Sequence, residues 1–241
     1  MTPPTTSVLT ATRNRPDYLA EAISSVRSQT ASETWEHLVG DDGSEDPRVG
    51  EVLRAARERD PERVRTSFAP HRGDRPARIW NTLLRQAAGR YVAVLDDDNR
   101  WHPEFLERMV APLAADPALD AVTCGRRFID EAGRPSEKPE CHRNLRTSLR
   151  ALYRDNTVDG GAVLYRKSSL LGIGGFPEHL TACEDWYVVA RLAQSGRMLH
   201  LVEALLLYRE HGEARSGRAL GLGVESAWDR VRAELFPEGP P

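Results

Sequence analysis

The 241-residue chain holds only three cysteines, Cys124, Cys141 and Cys183, scattered and without a C-x-x-C pair. That excludes a disulfide scaffold and favours free thiols in a reducing compartment. Long apolar runs are missing as well. No stretch approaches the roughly 20 continuous apolar residues that a membrane-spanning helix needs. The opening, "MTPPTTSVLT", has neither the charged start nor the apolar core of a secretory leader. A cytoplasmic protein with no transmembrane segment is therefore expected. Charge of one sign is lacking too: arginine is abundant, yet the net charge is −3 and the pI about 6.2. Nucleic-acid binders usually carry a strongly basic balance, so no nucleic-acid partner is expected. There is no internal repeat and no low-complexity tract.

What remains is ordinary globular material, with 40% hydrophobic and 29% charged residues, enough for a sizeable core. The length suits one domain. The first half alternates between strand-like and helix-like segments. "TSVLTAT" is β-rich, and "RPDYLAEAISSVRSQ" follows with Leu19, Ile23 and Val26 on one helical face. "EHLVGDDGS" runs from strand to turn, "RVGEVLRAARER" is helical, "RVRTSFAP" is a strand and "ARIWNTLLRQAAG" a helix. "RYVAVL" is the fourth strand. "HPEFLERMVAPLAAD" reads as a helix with Pro103 in its first turn, and "LDAVTCG" as a further strand. This alternation indicates an α/β fold with a largely parallel sheet covered on both faces.

Past "DEAGRPSEKPECHRN", a loop or hairpin, the pattern loosens. "GGAVLYR" is a strand, "KSSLLGIGGFPEHL" a short helix with a glycine-rich turn, "EDWYVVARLAQSG" an amphipathic helix, and "RMLHLVEALLLYREH" mostly strand. The tail after residue 211 either covers the site or carries no order of its own.

Ligands of such sheets bind beyond the carboxyl ends of the strands. Three of those ends are chemically unusual here: "TATRNR", "VGDDGS" and "VLDDDN". In the last, three carboxylates crowd the tip of an apolar strand, and like charges ~4 Å apart repel by about 4 kcal/mol at an effective dielectric near 20. Asp96 and Asp98, two residues apart, can point the same way, and oxygen ligands on a tight turn suit Mg²⁺ or Mn²⁺. A solvated, helix-capping turn is the plainer alternative. In "VGDDGS", Asp42 can accept from a base N–H, while an Asx-turn explains the motif equally well. In "CEDWYVV", Glu184 and Asp185 occupy a first helical turn, favoured by the helix dipole or placed there as a general base. Trp186 reads as core or as a wall of the acceptor side. Arg72, Arg75 and Arg78 precede the acidic strand, and one of them can pair with a diphosphate.

Taken in order, these segments resemble glycosyltransferase family 2, inverting enzymes that use nucleotide sugars and have the GT-A fold. "SVLTATRNRPDYLAEAISSVRSQT" is similar to that family's first strand and helix, and "VGDDGS" to its second strand end. Asn81 precedes "AAGRYVAVLDDDN" at the family spacing, and the segment from "GGAVLYR" to "EDWYVVARLAQSG" resembles its acceptor side. The likeness spans about residues 6 to 211. It implies a Rossmann-like GT-A domain over 1–241, with a mostly parallel central sheet and a smaller acceptor-side sheet. A donor half would cover about 6–125, an acceptor half about 126–211 and a tail 212–241. It implies that Ala11, Thr12 and Arg13 line a nucleotide pocket, that Asp42 contacts the base, and that Arg72 or Arg75 approaches the diphosphate. Asp98, with Asp96, would hold Mn²⁺ or Mg²⁺ in a D-x-D motif, and Asp97 would face the ribose or sugar. Asp185 is similar to the catalytic base, with Glu184 and Trp186 beside it on the acceptor side. His211, in "YREH", would touch metal or diphosphate. Arg13 stands where an aromatic is more frequent, and the usual glycine ahead of the Asn81 helix is missing. The implied partners are a nucleotide-sugar donor linked to UDP, TDP or GDP and an unidentified acceptor.

Three other readings compete. A phosphatase with an Asp-x-Asp nucleophile wants that motif on an early strand, whereas here it follows the fourth. A nucleotidyltransferase wants a glycine-rich phosphate loop after the first strand, which is absent. A non-catalytic nucleotide-sugar-binding module would have no need of both Asp98 and Asp185.

Overall fold

The computed structural model describes residues 4–73, 75–142, 148–154, 159–194, 196–212, 224–239 and 241. Their order is β1 (Thr6–Thr12), α1 (Pro16–Arg27), β2 (Trp35–Asp41), α2 (Pro47–Arg59), β3 (Val64–Phe68), α3 (Pro76–Gln86), β4 (Tyr91–Val94), β5 (Arg100–Trp101), α4 (Phe105–Ala115), β6 (Ala121–Ile129), α5 (Leu149–Arg154), β7 (Val163–Arg166), α6 (Lys167–Gly172), α7 (Glu184–Ala193), β8 (Met198–Arg209) and α8 (Val224–Leu235). Proline opens α1, α2 and α3, at positions where the missing N–H has no helical partner to lose. Asp46 caps α2 by accepting from the Arg48 amide at 2.9 Å. Pro103 lies in the turn before α4 rather than in its first turn; the proline inside that helix is Pro112.

Among the described residues the strands form one eight-stranded sheet in the order β3-β2-β1-β4-β7-β6-β8-β5. The first four are mutually parallel. β7 runs antiparallel to both β4 and β6, so β6, and with it the parallel β8, points the same way as β4. The expected acceptor-side sheet is thus a continuation of the central one. Its ladder bulges near Gly125, between β6 and β8.

Side chains alternate across this sheet as the pleat requires. Tyr91, Ala93 and Leu95 pack under α1 and α4, while Val92 and Val94 pack against α3 and α7. Both faces are apolar, and this is why the strands read as nearly continuous hydrophobic runs. Gly40 lets α3 approach closely, since a Cβ there would collide with the Ile79 side chain.

The described part of the tail does not lie over the sheet's acidic end. Val231, Leu235 and Phe236 of and after α8 are buried with Trp186 and Val189 of α7. Residues 213–223, the rest of that expectation, lie outside the described residues. The loop after β6 is a hairpin, bridged at Arg126–Cys141 and Ile129–Pro135. Among the described residues no helix is long and apolar enough to cross a membrane.

Candidate active site

The three carboxyl-end segments meet. The Asp42 amide donates to Thr12 O at 2.9 Å, and the Asn14 side chain accepts from the Glu45 and Asp46 amides at 2.7 and 3.1 Å. Asn14 has a left-handed φ of 56°, a conformation that asparagine tolerates better than most residues. Asp41 forms the Asx-turn, taking both the amide and the hydroxyl of Ser44 at 3.0 and 2.6 Å. Asp42, one residue on, is instead held by His71 Nδ1 at 2.8 Å and by the Arg78 guanidinium. Arg72 and Arg75 are exposed; from this helix start it is Arg78 that reaches an acidic side chain of the site. Ala11 and Arg13 are half-buried beside them, with Arg13 Nη2 at 4.0 Å from Glu45.

The acidic tip of β4 is organised from β1 and α1. Thr12 Oγ1 donates to Asp97 Oδ2 at 2.8 Å, and Arg15 Nη1 donates to Asp97 Oδ1 at 3.1 Å and Asp98 Oδ2 at 2.8 Å. Asp97 is 5% exposed, and both its oxygens are engaged by Thr12 and Arg15. Burial pushes its carboxyl up to about 6, with Asp98 adding to the rise while Arg15 and Thr12 oppose it. His211 Nε2 lies 3.1 Å from Asp98 Oδ2; its side chain is fully buried, and its Nδ1 has no partner among the described residues. Asn99 does not cap α4: its side-chain oxygen accepts from the Arg209 amide at 2.9 Å.

Across the cleft, α7 begins after Cys183, whose left-handed φ of 67° turns the chain sharply into the helix. Asp185 Oδ1 accepts from the Trp186 amide at 2.7 Å, and Oδ2 from the Gly160 amide at 3.2 Å. Asp159 caps the short 3₁₀ turn at 160–162, accepting from the Gly161 amide at 3.2 Å while its other oxygen takes Arg126 Nη1 at 2.6 Å. Burial, followed by Asp159 and Glu184, raises Asp185 to about 7, and the two backbone donors oppose the rise. Glu184 is buried at the start of the helix. Trp186 is not an acceptor wall. It is fully buried and donates through Nε1 to Leu152 O at 2.9 Å. Adjacent helical residues point about 100° apart, so with Asp185 facing the cleft its neighbour turns inward.

Asp96 joins the two sides. Burial raises its carboxyl well above the usual range, and Asp98, Asp159, Asp185 and Asp97 all push in the same direction. Carboxylates from β4, the 3₁₀ turn and α7 therefore share one electrostatic environment. Such a concentration of acid favours a cation. Among the described residues no three His, Cys, Asp or Glu side chains gather as a self-sufficient metal cage. Asp98 and His211 are in contact at 3.1 Å, and Asp96 shares the acidic environment of Asp98. Arg15, Arg126, Asp159 and Arg209 escaped the sequence reading. Their partners lie up to 188 residues away in the chain.

The model of the family described as Glycosyl transferase family 2 matches residues 7–172. A Sinorhizobium fredii protein, "Uncharacterized protein y4gI", is 30% identical over 80% of this chain, which spans 21% of that relative's length. S. aureus TarS 1-349, solved with UDP-GlcNAc, superposes with a TM-score of 0.75 and 22% identity over 97% of this chain and 66% of its own. The mannosyltransferase PcManGT from Pyrobaculum calidifontis, solved with GDP-Man and Mn2+, gives 0.74 and 23% over 99% and 66%. These neighbours give the fold a name, GT-A.

Proposed function

The chain belongs to glycosyl transferase family 2, and from that premise we propose that it transfers a sugar from a nucleoside-diphosphate sugar to an acceptor hydroxyl, with inversion at the anomeric carbon. Residues of about 6–125 carry the donor and those of about 126–211 the acceptor. The observation that carries this reading is the opposition of two unlike carboxylate sets. Asp97 and Asp98 are charge-paired at the end of β4, and Asp185 on α7 has two backbone amides and no cationic partner among the described residues.

Ala11, Thr12 and Arg13 line the nucleotide pocket, and Asp42, steadied by Arg78 and His71, meets the base. Asp97 anchors the loop through Thr12 and Arg15. The donor set suits a hard divalent cation, Mn²⁺ or Mg²⁺: Asp98 and Asp96 would supply carboxylate oxygens, and His211 Nε2 lies beside Asp98 at 3.1 Å. When bound, that ion supplies positive charge against the negative charge gathering on the leaving diphosphate. Arg15, beside Asp98, adds a fixed charge to the same end of the cleft.

On the other face of the sugar, Asp185 accepts the proton of the acceptor hydroxyl as its oxygen bonds to the anomeric carbon. The bond from that carbon to the phosphate oxygen breaks in the same step, and the electron pair leaves with the diphosphate. The Gly160 and Trp186 amides hold the Asp185 carboxylate oriented while it does so. A panel of UDP-, TDP- and GDP-sugars, read by thermal shift with and without Mn²⁺, tests the reading. Stabilisation by one donor that depends on the ion supports it; indifference to the whole panel, with phosphate released from a phosphomonoester, overturns it.

A further inference from the structure

Arg209 is the most deeply buried arginine near the cleft, 1% exposed at the end of β8. Its guanidinium joins three separate parts of the molecule. Nε donates to Asp98 O at 2.8 Å, Nη1 to Glu131 O at 2.7 Å and Asp130 O at 3.4 Å, and Nη2 to Glu21 Oε2 on α1 at 2.6 Å. Its own amide is taken by Asn99 at 2.9 Å, and its guanidinium carbon sits 4.7 Å from the centre of the Tyr18 ring. Tyr18 in turn packs on His211, ring centres 4.9 Å apart, and reaches Glu131 through its hydroxyl at 3.4 Å.

We propose that Arg209 is a positioning residue for the cation site: it fixes the backbone of the Asp98 loop from behind and locks that loop to the acceptor-side turn at 130–131. The inference rests on the cation reading given above. Arg209, the last residue of β8, donates to the carbonyl of Asp98, while His211, two residues on, meets its carboxylate. One planar fork with donors at fixed angles can serve the Asp98 loop, the 130–131 turn and α1 together, whereas an ammonium group cannot span them. A buried charge is a costly way to obtain stability alone. Its donors here are spent on the loop that carries Asp98 and on the turn that borders the acceptor half. Groups one step behind a metal's ligands commonly set how well those ligands hold it.

Mn²⁺ binding followed by electron paramagnetic resonance, with and without UDP, tests this on the wild type, Arg209→Lys and Glu21→Gln. Arg209→Lys is expected to weaken Mn²⁺ binding about tenfold or more while leaving metal-free UDP binding within about twofold. Glu21→Gln keeps the guanidinium but loosens its tether, so a smaller loss of roughly two- to fivefold is expected. Unchanged Mn²⁺ affinity in either folded variant overturns the proposal. If Arg209→Lys fails to fold, Glu21→Gln decides alone. A wild type that binds no Mn²⁺ even with UDP overturns the cation reading itself, an outcome distinct from a wild type that binds it and variants that bind it equally.

Discussion

Asp97 and Asp185 are carboxylates in the same cleft, and they are satisfied in opposite ways. On the donor side, Asp97 takes a hydroxyl and a guanidinium, Asp98 a guanidinium and an imidazole, and Asp42 a guanidinium and an imidazole. On the acceptor side, Asp185 takes two backbone amides, with Asp159 and Glu184 as like-charged neighbours. A guanidinium favours the charged form of a carboxylate, as Arg15 does at Asp97 against the burial that raises it. At Asp185 the two amide donors orient the carboxylate and oppose its rise, but burial and the like-charged neighbours outweigh them. The difference separates a side whose carboxylates are bound by guanidinium, imidazole and hydroxyl groups from a side whose carboxylate is held by backbone amides beside like charges.

The strongest way to break that comparison is Asp185→Asn. The amide keeps the shape and accepts from one of the two backbone N–H groups through its single oxygen, but it cannot take a proton. Transfer should fall by roughly 10²–10⁴-fold, the usual worth of a general base, while the Kd for UDP shifts by less than about twofold. Transfer that survives at the wild-type rate assigns the base elsewhere and dissolves the distinction.

Next in size is the donor-side cation. Arg15→Met leaves Asp97 and Asp98 without their guanidinium, and losing one partner of a buried pair costs about 3 kcal/mol. For a chain of this length that corresponds to a fall in Tm of roughly 6–12 °C, with Mn²⁺ recovering part of it. A Tm unchanged without metal would mean that the donor acids need no standing counter-charge, and the two sides would then be alike.

The difference was only partly legible in the sequence. "YVAVL" running into "DDDN" exposes the donor acids because strand and ligands are contiguous. Asp185 stands out for the same reason, at the start of a periodic helix. Arg15 did not: in "NRPDYL" it reads as an exposed residue before a helix, and its partners lie 82 and 83 positions on. Asp159 had a local signal, an acid before Gly160 and Gly161 that suits a cap. Its pairing with Arg126 depends on how β6 passes the turn, which no local pattern encodes. The α/β alternation showed the parallel half of the sheet. It could not show that β7 enters between β4 and β6, since strand order arises from packing between distant segments.

A pH profile sharpens the comparison further. Asp185, raised to about 7, must be ionised to act, so kcat/KM should fall about tenfold per unit as pH drops below 7. A bound cation should move that limb lower. Asp159→Asn, which removes a like charge yet keeps an oxygen for the Gly161 amide, should also move it down. Stability runs the other way. Between the ordinary carboxyl value of 3.8 and about 7 the folded state holds a proton at Asp185 that the unfolded chain has released, so metal-free stability declines as pH rises through that window. Thermal melts at pH 5 and pH 8 should show it, with the larger Mn²⁺ stabilisation at pH 8. A limb near 4 would mean that burial and the like-charged neighbours do not raise Asp185.

The smallest effect tests where the acceptor side ends. Trp186 adjoins Asp185 in the chain, yet it is buried between α5 and α8, bonded to Leu152 O and with its ring 6.0 Å from that of Trp228. Its spacing with Val189, Ala190 and Ala193 is that of a helix face turned to the core. Trp186→Phe removes one buried hydrogen bond and some ring volume, and should cost about 1–2 kcal/mol. The acceptor KM should stay within about twofold, because a residue that stabilises only the folded state does not distinguish free enzyme from complex. An acceptor KM raised tenfold with an unchanged Tm would put the indole in contact with acceptor. The acceptor side would then reach one helical position deeper than the buried ring now indicates.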